Sequence, residues 1–192
     1  MNAYARTLTT ALLSTVVGSG ALMLPSVAHA EDSADSGTDT DTAAWRSNRG
    51  FQTHLGPAIL FPTDSSESYG FGLEFGLRYG IKVGPTVLAP GGRVAGYYQP
   101  SRFIGDVMPT IRWTIPLGPF APFIEGGVGA GAATNPGRGG VALLGGGGLM
   151  IHFGDVFGLG VRASYETITS TAGEGKPRFS VLSLGPMLQF GF

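Results

Sequence analysis

The stretch that decides the fold is Tyr69-Gly-Phe-Gly-Leu-Glu-Phe-Gly-Leu-Arg-Tyr-Gly-Ile-Lys82. Its odd-numbered residues are all large and apolar or aromatic, while its even-numbered residues are glycine or charged. Side chains of a β-strand alternate between two faces, so the stretch predicts a long strand with an apolar face and a polar face. Aromatic residues at both ends of the apolar face are typical of a strand that faces lipid in a membrane β-barrel. The fold-level alternative is a soluble exported barrel, with the aromatic residues turned inward around an apolar ligand and the charges outward.

Residues 1–30 are predicted to be a signal peptide. Arg6 gives a weakly positive start, residues 11–24 are apolar or small, and Ala28-His29-Ala30 fits the small-x-small cleavage rule. The apolar run is shorter than the ~20 residues that a transmembrane helix needs. The chain is therefore expected to be exported, and an uncleaved N-terminal anchor is the alternative.

The composition of the remaining chain excludes several classes of protein. Removing Arg6 leaves 11 basic and 13 acidic residues, a formal net charge of −2, which does not suggest a nucleic-acid partner. There is no cysteine, and hence no disulfide framework or thiolate metal site. The mean hydropathy is positive although no apolar run after the signal peptide is long enough for a membrane helix. A chain that is hydrophobic overall but has no spanning helix has the composition expected of a membrane β-barrel.

Residues 31–50 are predicted to be a disordered acidic tail on the periplasmic side. Their acidic residues are interleaved with Ser, Thr, Ala and Gly, and Trp45 is their only large apolar residue. Such a segment buries too little apolar surface to offset the entropy of ordering.

From Phe51 onward the sequence divides into eight alternating segments separated by turn residues. The predicted strands lie at about 51–61, 69–83, 86–98, 102–115, 120–133, 139–153, 156–169 and 178–192. Most connections alternate between very short turns and longer polar loops, although the loop near 99–101 is short as well. This asymmetry is expected when both termini lie on the periplasmic side. Residues 51–192 are therefore predicted to form an all-β domain, an eight-stranded antiparallel up-and-down transmembrane β-barrel.

Prolines interrupt the predicted strands. Pro90-Gly91-Gly92 suggests a bulge or bend in the third strand. Pro57, Pro109 and Pro186 fall inside other strands, where proline has no N–H to donate to the sheet. A closed barrel has no edge strand, so each of these prolines is expected at a bulge or near a rim.

The alternation also selects a set of charges for the inner face. They are Glu74, Arg78, Lys82, Asp106, Arg112, Glu125, Arg162 and Glu166, four of each sign. Buried charges are costly unless they are paired, and an eight-stranded barrel is only wide enough for its own side chains. The set therefore predicts a charge network that fills the lumen; the alternative is that some members are solvated at the rims or loops.

The chain ends in Leu188-Gln-Phe-Gly-Phe192, with large residues two and four positions before the terminal Phe. Leu188, Phe190 and Phe192 resemble the terminal signal of bacterial outer-membrane β-barrel proteins, which the barrel-assembly machinery recognises. With the signal peptide and the Gly-aromatic strands, residues 51–192 resemble the small outer membrane protein β-barrel family, akin to the transmembrane domain of outer membrane protein A. The resemblance implies the outer membrane of a Gram-negative cell, contact with its lipid, and the assembly machinery as a partner during biogenesis.

Candidate catalytic and metal-binding residues are few. His54 and His152 are predicted to face inward, as are Ser164 and Glu166, but no spacing fixes a Ser beside a His. Two histidines alone are too few ligands for zinc. Neither a cofactor nor a metal is expected.

The primary functional expectation is a structural membrane scaffold with a side-chain-filled lumen, and not an enzyme. The second hypothesis is a transporter or narrow channel for small or apolar solutes. The third is a lipid A-modifying enzyme, since some eight-stranded outer-membrane barrels have that activity. The oligomeric state is left open by the sequence.

Overall fold

The computed structural model describes residues 42–63, 68–134, 137–170 and 179–192. The chain divides into two units, residues 1–40 and 41–192, and all described residues belong to the second. The predicted signal peptide, the acidic segment 31–41 and parts of three loops lie outside the described residues. The elements are α1 (Ala43–Asn48), β1 (Gly50–Pro62), β2 (Gly70–Val83), β3 (Thr86–Gln99), β4 (Arg102–Thr114), β5 (Phe120–Thr134), β6 (Gly137–Phe153), β7 (Phe157–Ser170) and β8 (Phe179–Gly191).

The eight strands form a closed barrel in which each strand pairs with its neighbour in sequence and β1 pairs with β8. Every pairing is antiparallel. The predicted fold class, an eight-stranded up-and-down barrel, is therefore confirmed. Closure removes both sheet edges, which is the condition for placing a β-sheet in lipid, where no water is present to pair with free backbone groups.

The inner and outer faces of the wall have opposite chemistry. Outward-facing large apolar side chains occur on all eight strands, and on β2 the Phe75 side chain is 42% exposed. Arg78, on the other face of the same strand, is 3% exposed. The soluble alternative required the reverse arrangement, so it is excluded by the direction in which this strand points.

Tight turns connect the strands at the end of the barrel where β1 begins and β8 ends, which we call the termini end. Gly84, Gly118 and Gly154 occupy these turns with φ of 57°, 63° and 77°. Positive φ is accessible to glycine without the steric penalty that a Cβ introduces. The opposite end, which we call the loop end, carries the connections at 63–69, 100–101, 135–136 and 171–178.

The strand β3 passes Pro90 without a bulge, contrary to the prediction. Arg78 is opposite Gly91 and Ile81 is opposite Leu88, so β2 and β3 keep one register on both sides of the proline. The Pro90 side chain faces outward and only the local ladder is interrupted. The glycines that follow therefore continue the strand instead of bending it.

The other three prolines lie in the middle of 13-residue strands, neither at bulges nor at rims. Pro57 and Pro186 stand at the same level of the β1–β8 pairing, where the ladder is interrupted between the pairs Leu55–Leu188 and Ile59–Leu184. The two missing donors therefore affect the same ladder at the same place. Pro57 still pairs with β2 and Pro186 with β7, so each proline interrupts one ladder only.

Pro109 follows the same rule. The hydrogen-bond ladder between β4 and β5 is interrupted between Val107 and Thr110, while Pro109 still pairs with Gly92 of β3. A central strand has a neighbour on each side, so the loss of one donor leaves the opposite ladder intact.

The predicted disordered tail is ordered in its last part. Residues 43–48 form α1, in which Ala44, Ser47 and Asn48 are buried against the termini end of the barrel. This helix is not evident in the sequence because six residues are too few to show a helical period. Among the residues that the structure describes, no helix is both long enough and apolar enough to span a membrane.

The β1–β8 seam depends on the absence of a side chain at Gly185. An added Cβ would overlap the Pro57 carbonyl oxygen and lie 2.9 Å from the Ala58 Cα. We expect Gly185→Ala to lower the free energy of unfolding by about 1–3 kcal/mol, because backbone atoms must shift to make room. The measurement is urea unfolding in lipid vesicles, with the folded fraction read from gel mobility without heating.

Gly145→Ala is the matched control, since an added Cβ there meets nothing within 4 Å. This variant should unfold at the same urea concentration as the natural chain or slightly above it. Equal destabilisation by the two substitutions would contradict the assignment of a close approach at the seam.

Candidate functional site

The most distinctive feature of the interior is a set of buried charges supplied by alternate residues of five strands. These are Glu74 and Arg78 on β2, Arg93 on β3, Asp106 and Arg112 on β4, Glu125 on β5, and Arg162 and Glu166 on β7. Each is at most 5% exposed. The period of two along each strand directs all of them into the lumen.

Arg93 organises the half of the lumen nearer the loop end. Its Nε donates to Glu74 Oε2 at 3.0 Å, its Nη1 to Asp106 Oδ1 at 3.1 Å, and its Nη2 to Glu166 Oε2 at 3.0 Å. Arg162 also forms an ion pair with Glu74. We call these five residues the Arg93 cluster; a guanidinium suits its centre because its donors point in several fixed directions.

Arg112 organises the half nearer the termini end. Its Nε and Nη2 donate to Glu125 Oε2 at 2.9 and 2.7 Å, and its guanidinium carbon lies 3.9 Å from the centroid of the Phe123 ring. Arg78 Nη1 lies 3.3 Å from Glu125 Oε2, and Arg78 Nη2 lies 2.8 Å from His54 Nδ1. We call Arg78, Arg112, Glu125 and His54 the Arg112 cluster.

The two clusters are complementary in charge. The Arg93 cluster holds two guanidinium groups and three carboxylates, whereas the Arg112 cluster holds two guanidinium groups and one carboxylate. The excess negative charge of the first therefore balances the excess positive charge of the second when His54 is neutral. Balanced pairing is the arrangement in which buried charges can be retained.

Seven of the eight charges predicted for the inner face are buried there, and Lys82 is the exception. Lys82 is opposite Val87, one residue before the end of β2, and its side chain is exposed at the rim. Its Nζ lies 5.3 Å from the centroid of the Trp45 ring. The alternation gives the correct face, but the strand extends beyond the enclosed part of the lumen, so this member of the predicted network is corrected.

Arg93, the centre of its cluster, was missed by the sequence analysis. The expected break at Pro90-Gly91-Gly92 left the faces of the third strand unassigned. Reading the alternation through these residues would have placed Val94 and Tyr98 outward and Arg93 inward, as the structure has them.

Glycines on the inner face of β2 provide the space that the larger lumen residues occupy. A Cβ added at Gly72 would overlap the Tyr97 ring, and one added at Gly76 would overlap the His54 ring. At Gly80 an added Cβ would overlap the carbonyl oxygen of Asn48 in α1. These three glycines of β2 thus leave the space that the two rings and the end of α1 occupy.

The helix α1 closes the termini end. Gln189 Nε2 donates to Asn48 Oδ1 at 3.1 Å, and Asn48 Nδ2 lies 3.1 Å from His152 Nε2. Ser47 Oγ donates to the Gly154 carbonyl oxygen at 3.1 Å. The polar end of the helix is therefore joined to β6, to β8 and to the turn between β6 and β7.

An apolar layer separates the Arg93 cluster from the loop end. It consists of buried side chains from β1, β3, β4, β6, β7 and β8, including Leu60, Tyr97, Ile104, Ile168 and Val181. The described lumen is thus filled in three levels: apolar side chains, paired charges, and the docked helix.

The candidate residues for hydrolysis take part in this packing. Ser164 Oγ lies 2.7 Å from Ser183 Oγ and accepts from Arg162 Nη2 at 3.2 Å, while Glu166 pairs with Arg93. Among the hydrogen bonds of the described residues, none joins Ser164 to a histidine. The described residues also contain no group of three or more potential metal ligands.

The outer wall carries aromatic residues near both ends. At the termini end they are Phe51, Tyr79, Trp113, Phe120, Phe153 and Phe192, and at the loop end Tyr69, Phe71, Tyr98 and Phe103. Two aromatic girdles flanking an apolar band are the outer surface of a barrel that crosses a bilayer. The closed wall and its surface together define an integral outer-membrane β-barrel protein of the small eight-stranded class, in contact with membrane lipid.

Comparison with solved structures supports this class. The barrel is similar to Neisserial surface protein A (NspA), with 14% identity, 74% of this chain and 97% of that chain covered, and a TM-score of 0.58. It is also similar to the outer membrane enzyme PagL, with 18% identity, 72% and 99% of the two chains covered, and a TM-score of 0.51. These likenesses show the shared fold. No protein-family model matches the chain, and a comparison with curated proteins gave no match.

The Arg93 cluster makes a direct prediction about stability. Arg93→Met removes an ion-pair partner shared by three buried carboxylates. We expect the free energy of unfolding to fall by about 3–5 kcal/mol, because unpaired buried charges keep their desolvation cost. Urea unfolding in lipid vesicles measures the change, and adding Glu166→Gln to the same chain should recover part of it.

Lys82→Met is the matched control. The same chemical change at the exposed rim should alter unfolding little, because solvent screens the charge there. If both methionine variants unfold alike, the Arg93 cluster does not stabilise the barrel.

Proposed function

We propose that the protein is a structural outer-membrane barrel that does not conduct solutes. The observation that supports this role is the filling of the described lumen by the apolar layer, the two charge clusters and α1. An eight-stranded barrel has an interior just wide enough for side chains. A solute passing through would have to separate buried ion pairs, which is costly because each charge left behind would be buried without a partner.

Transport and catalysis are less well supported by the contacts. The cavity behind the β1–β8 seam, between Glu74, Arg162 and Met187, has a volume of only about 10 Å³. That is room for a single water molecule. PagL shares the fold and is an enzyme, but in this chain the candidate Ser, His and Glu side chains are engaged in separate lumen contacts. The proposed role is therefore non-enzymatic.

The proposed orientation puts the termini end toward the periplasm. The tight turns lie at that end, and short periplasmic turns are the rule for barrels of this kind. Export by the predicted signal peptide at residues 1–30 would deliver the chain to the periplasm, from which it inserts. α1 would then close the periplasmic mouth.

The barrel-assembly machinery is the proposed partner during insertion. Leu188 and Phe190 lie on the outer face of β8, and Phe192, which directly follows this strand, is 75% exposed. The Phe190 ring packs 5.6 Å from the Phe157 ring, whereas Phe192 is held by a backbone bond from its N–H to the Phe51 carbonyl oxygen. The terminal side chain is thus available for recognition and contributes little to the packed wall.

The closed lumen predicts that vesicles holding the purified protein leak small ions and uncharged solutes no faster than empty vesicles. A channel-forming porin, reconstituted in the same way, gives the positive control. Asn48→Ala, which removes the side chain joining α1 to Gln189, should remain equally tight because the two charge clusters lie above it. Solute flux clearly above that of empty vesicles would overturn the structural role in favour of transport.

The assembly role predicts a difference between two exposed phenylalanines at the termini end. Phe192→Ala should lower the amount of folded protein in the outer membrane several-fold, while purified folded protein unfolds as before. Phe153→Ala, which removes a 59% exposed ring elsewhere on the same rim, should leave the folded amount unchanged. Heat-dependent gel mobility of membrane fractions measures both, and equal yields would argue against the assembly signal.

A further inference from the structure

His152 is a buried titratable side chain at the place where α1 meets the barrel wall. Its Nε2 lies 3.1 Å from Asn48 Nδ2, and both side chains are buried. We propose that α1 is an acid-sensitive latch, which is docked on the termini end while His152 is neutral and is released when His152 binds a proton. The proposal concerns α1 alone and does not depend on whether the lumen conducts.

The directions of the hydrogen bonds near His152 are set first by Arg112, whose guanidinium can only donate. Its Nη1 lies 3.2 Å from Gln189 Oε1, so this oxygen accepts. The amide nitrogen of Gln189 then points toward α1, where it donates to the Ser47 carbonyl oxygen at 3.4 Å and to Asn48 Oδ1 at 3.1 Å. Both ends of the Gln189 amide therefore agree on one orientation.

The amide of Asn48 is likewise oriented from two sides. Its Oδ1 accepts from Gln189, and its Nδ2 donates to the Ala44 carbonyl oxygen at 2.8 Å. Nδ2 carries a second hydrogen, which is available to His152 Nε2 at 3.1 Å. Nε2 must therefore accept. These partners assign the docked imidazole as neutral, with its proton on Nδ1.

Protonation of His152 removes the acceptor. An imidazolium has an N–H on both ring nitrogens, so Nε2 would face two amide donors, Asn48 Nδ2 at 3.1 Å and Gln189 Nε2 at 3.5 Å. A buried charge without an acceptor is costly, whereas an imidazolium from which α1 has withdrawn can be hydrated. Docking is therefore complete while the imidazole is neutral and is lost as the pH falls.

The charged groups around His152 do not offset this cost. On β4, Arg112 is linked to the ring through the amide network, and its charge is paired with Glu125 of β5. On α1, Arg46 pairs with Asp155 at 2.7 Å, where both side chains are about half exposed. β7 and β8 approach the ring with a glycine and a glutamine, which carry no charge. Among these contacts of the described residues, none gives the imidazolium a carboxylate.

The docking of α1 depends on its polar contacts. Three of its six residues are buried, Ala44, Ser47 and Asn48, and of these three only the alanine is apolar. A helix of this length is unstable by itself. Loss of the contact between Asn48 and His152 therefore releases the helix, while the two charge clusters deeper in the lumen keep the barrel filled.

Trp45 reports the position of α1, because its ring lies against Lys82 of β2. In a Trp113→Phe background it is the single tryptophan of the chain. We expect acrylamide to quench Trp45 fluorescence several-fold more strongly at about pH 5 than at about pH 8. The ratio of released to docked protein should change by at most about tenfold per pH unit, as the uptake of one proton requires. Unheated gel mobility at each pH shows that the barrel itself stays folded.

Two substitutions of the same kind locate the titrating group. His152→Gln supplies an amide oxygen in place of Nε2, so α1 should stay docked in acid and the pH response should be lost. His54→Gln makes the same change at the other buried histidine, in the Arg112 cluster, and should keep the full response. The remaining histidine, His29, lies in the predicted signal peptide.

Asn48→Asp should reverse the direction of the response. A carboxylate accepts both from an imidazolium and from Gln189, so docking is then stronger in acid than at neutral pH. A contact that is only structural would not reverse its pH dependence. A response of this variant in the original direction, or none, would contradict the latch.

Three further outcomes would overturn the proposal. The first is equal quenching of Trp45 in acid and at neutral pH in the chain with both histidines. The second is a full pH response in His152→Gln. The third is loss of the response in His54→Gln, which would place the titrating group in the Arg112 cluster instead of beside α1.

Discussion

Four guanidinium groups and four carboxylates share the interior of the barrel, and each of them forms an ion pair with a group of opposite charge. Lipid outside requires an apolar outer face, so the alternation of a β-strand forces the polar residues inward. Inside, the narrow lumen excludes enough water that each charge depends on its partners. Arg93, in contact with Glu74, Asp106 and Glu166, therefore joins β3 to three other strands inside the barrel.

Filling the lumen also explains the backbone chemistry of the wall. Glycines of β2 leave room for Tyr97, His54 and the end of α1, which larger residues would displace. The mid-strand prolines are tolerated because each interrupts one ladder and keeps the other, and Pro57 and Pro186 interrupt the same one. The interruption of the ladder at the β1–β8 seam opens onto a cavity of only about 10 Å³.

The candidate site was only partly accessible from the sequence. Strict alternation identified seven buried charges, because a long strand with one lipid face leaves no freedom in the direction of its side chains. The same rule could not show where the enclosed part of the lumen ends, so Lys82 was placed with them although it lies at the rim. Arg93 was not identified for a different reason, because Pro90 and the two glycines after it have the composition of a strand break. Only the pairing of β3 with β2 and β4 on both sides of Pro90 shows that the strand continues.

The sequence by itself determined the number of strands, the faces of those with an unbroken alternation and the membrane character of the wall, since these follow from local periodicity and turn residues. The tertiary structure alone decided which charges meet, because partners such as Arg93 and Glu166 are far apart in sequence and are joined only by barrel closure. It also decided the docking of α1, a segment too short and too polar to fold unaided. Its order comes from hydrogen bonds to β6 and β8 across the termini end, which exist only once the barrel has closed.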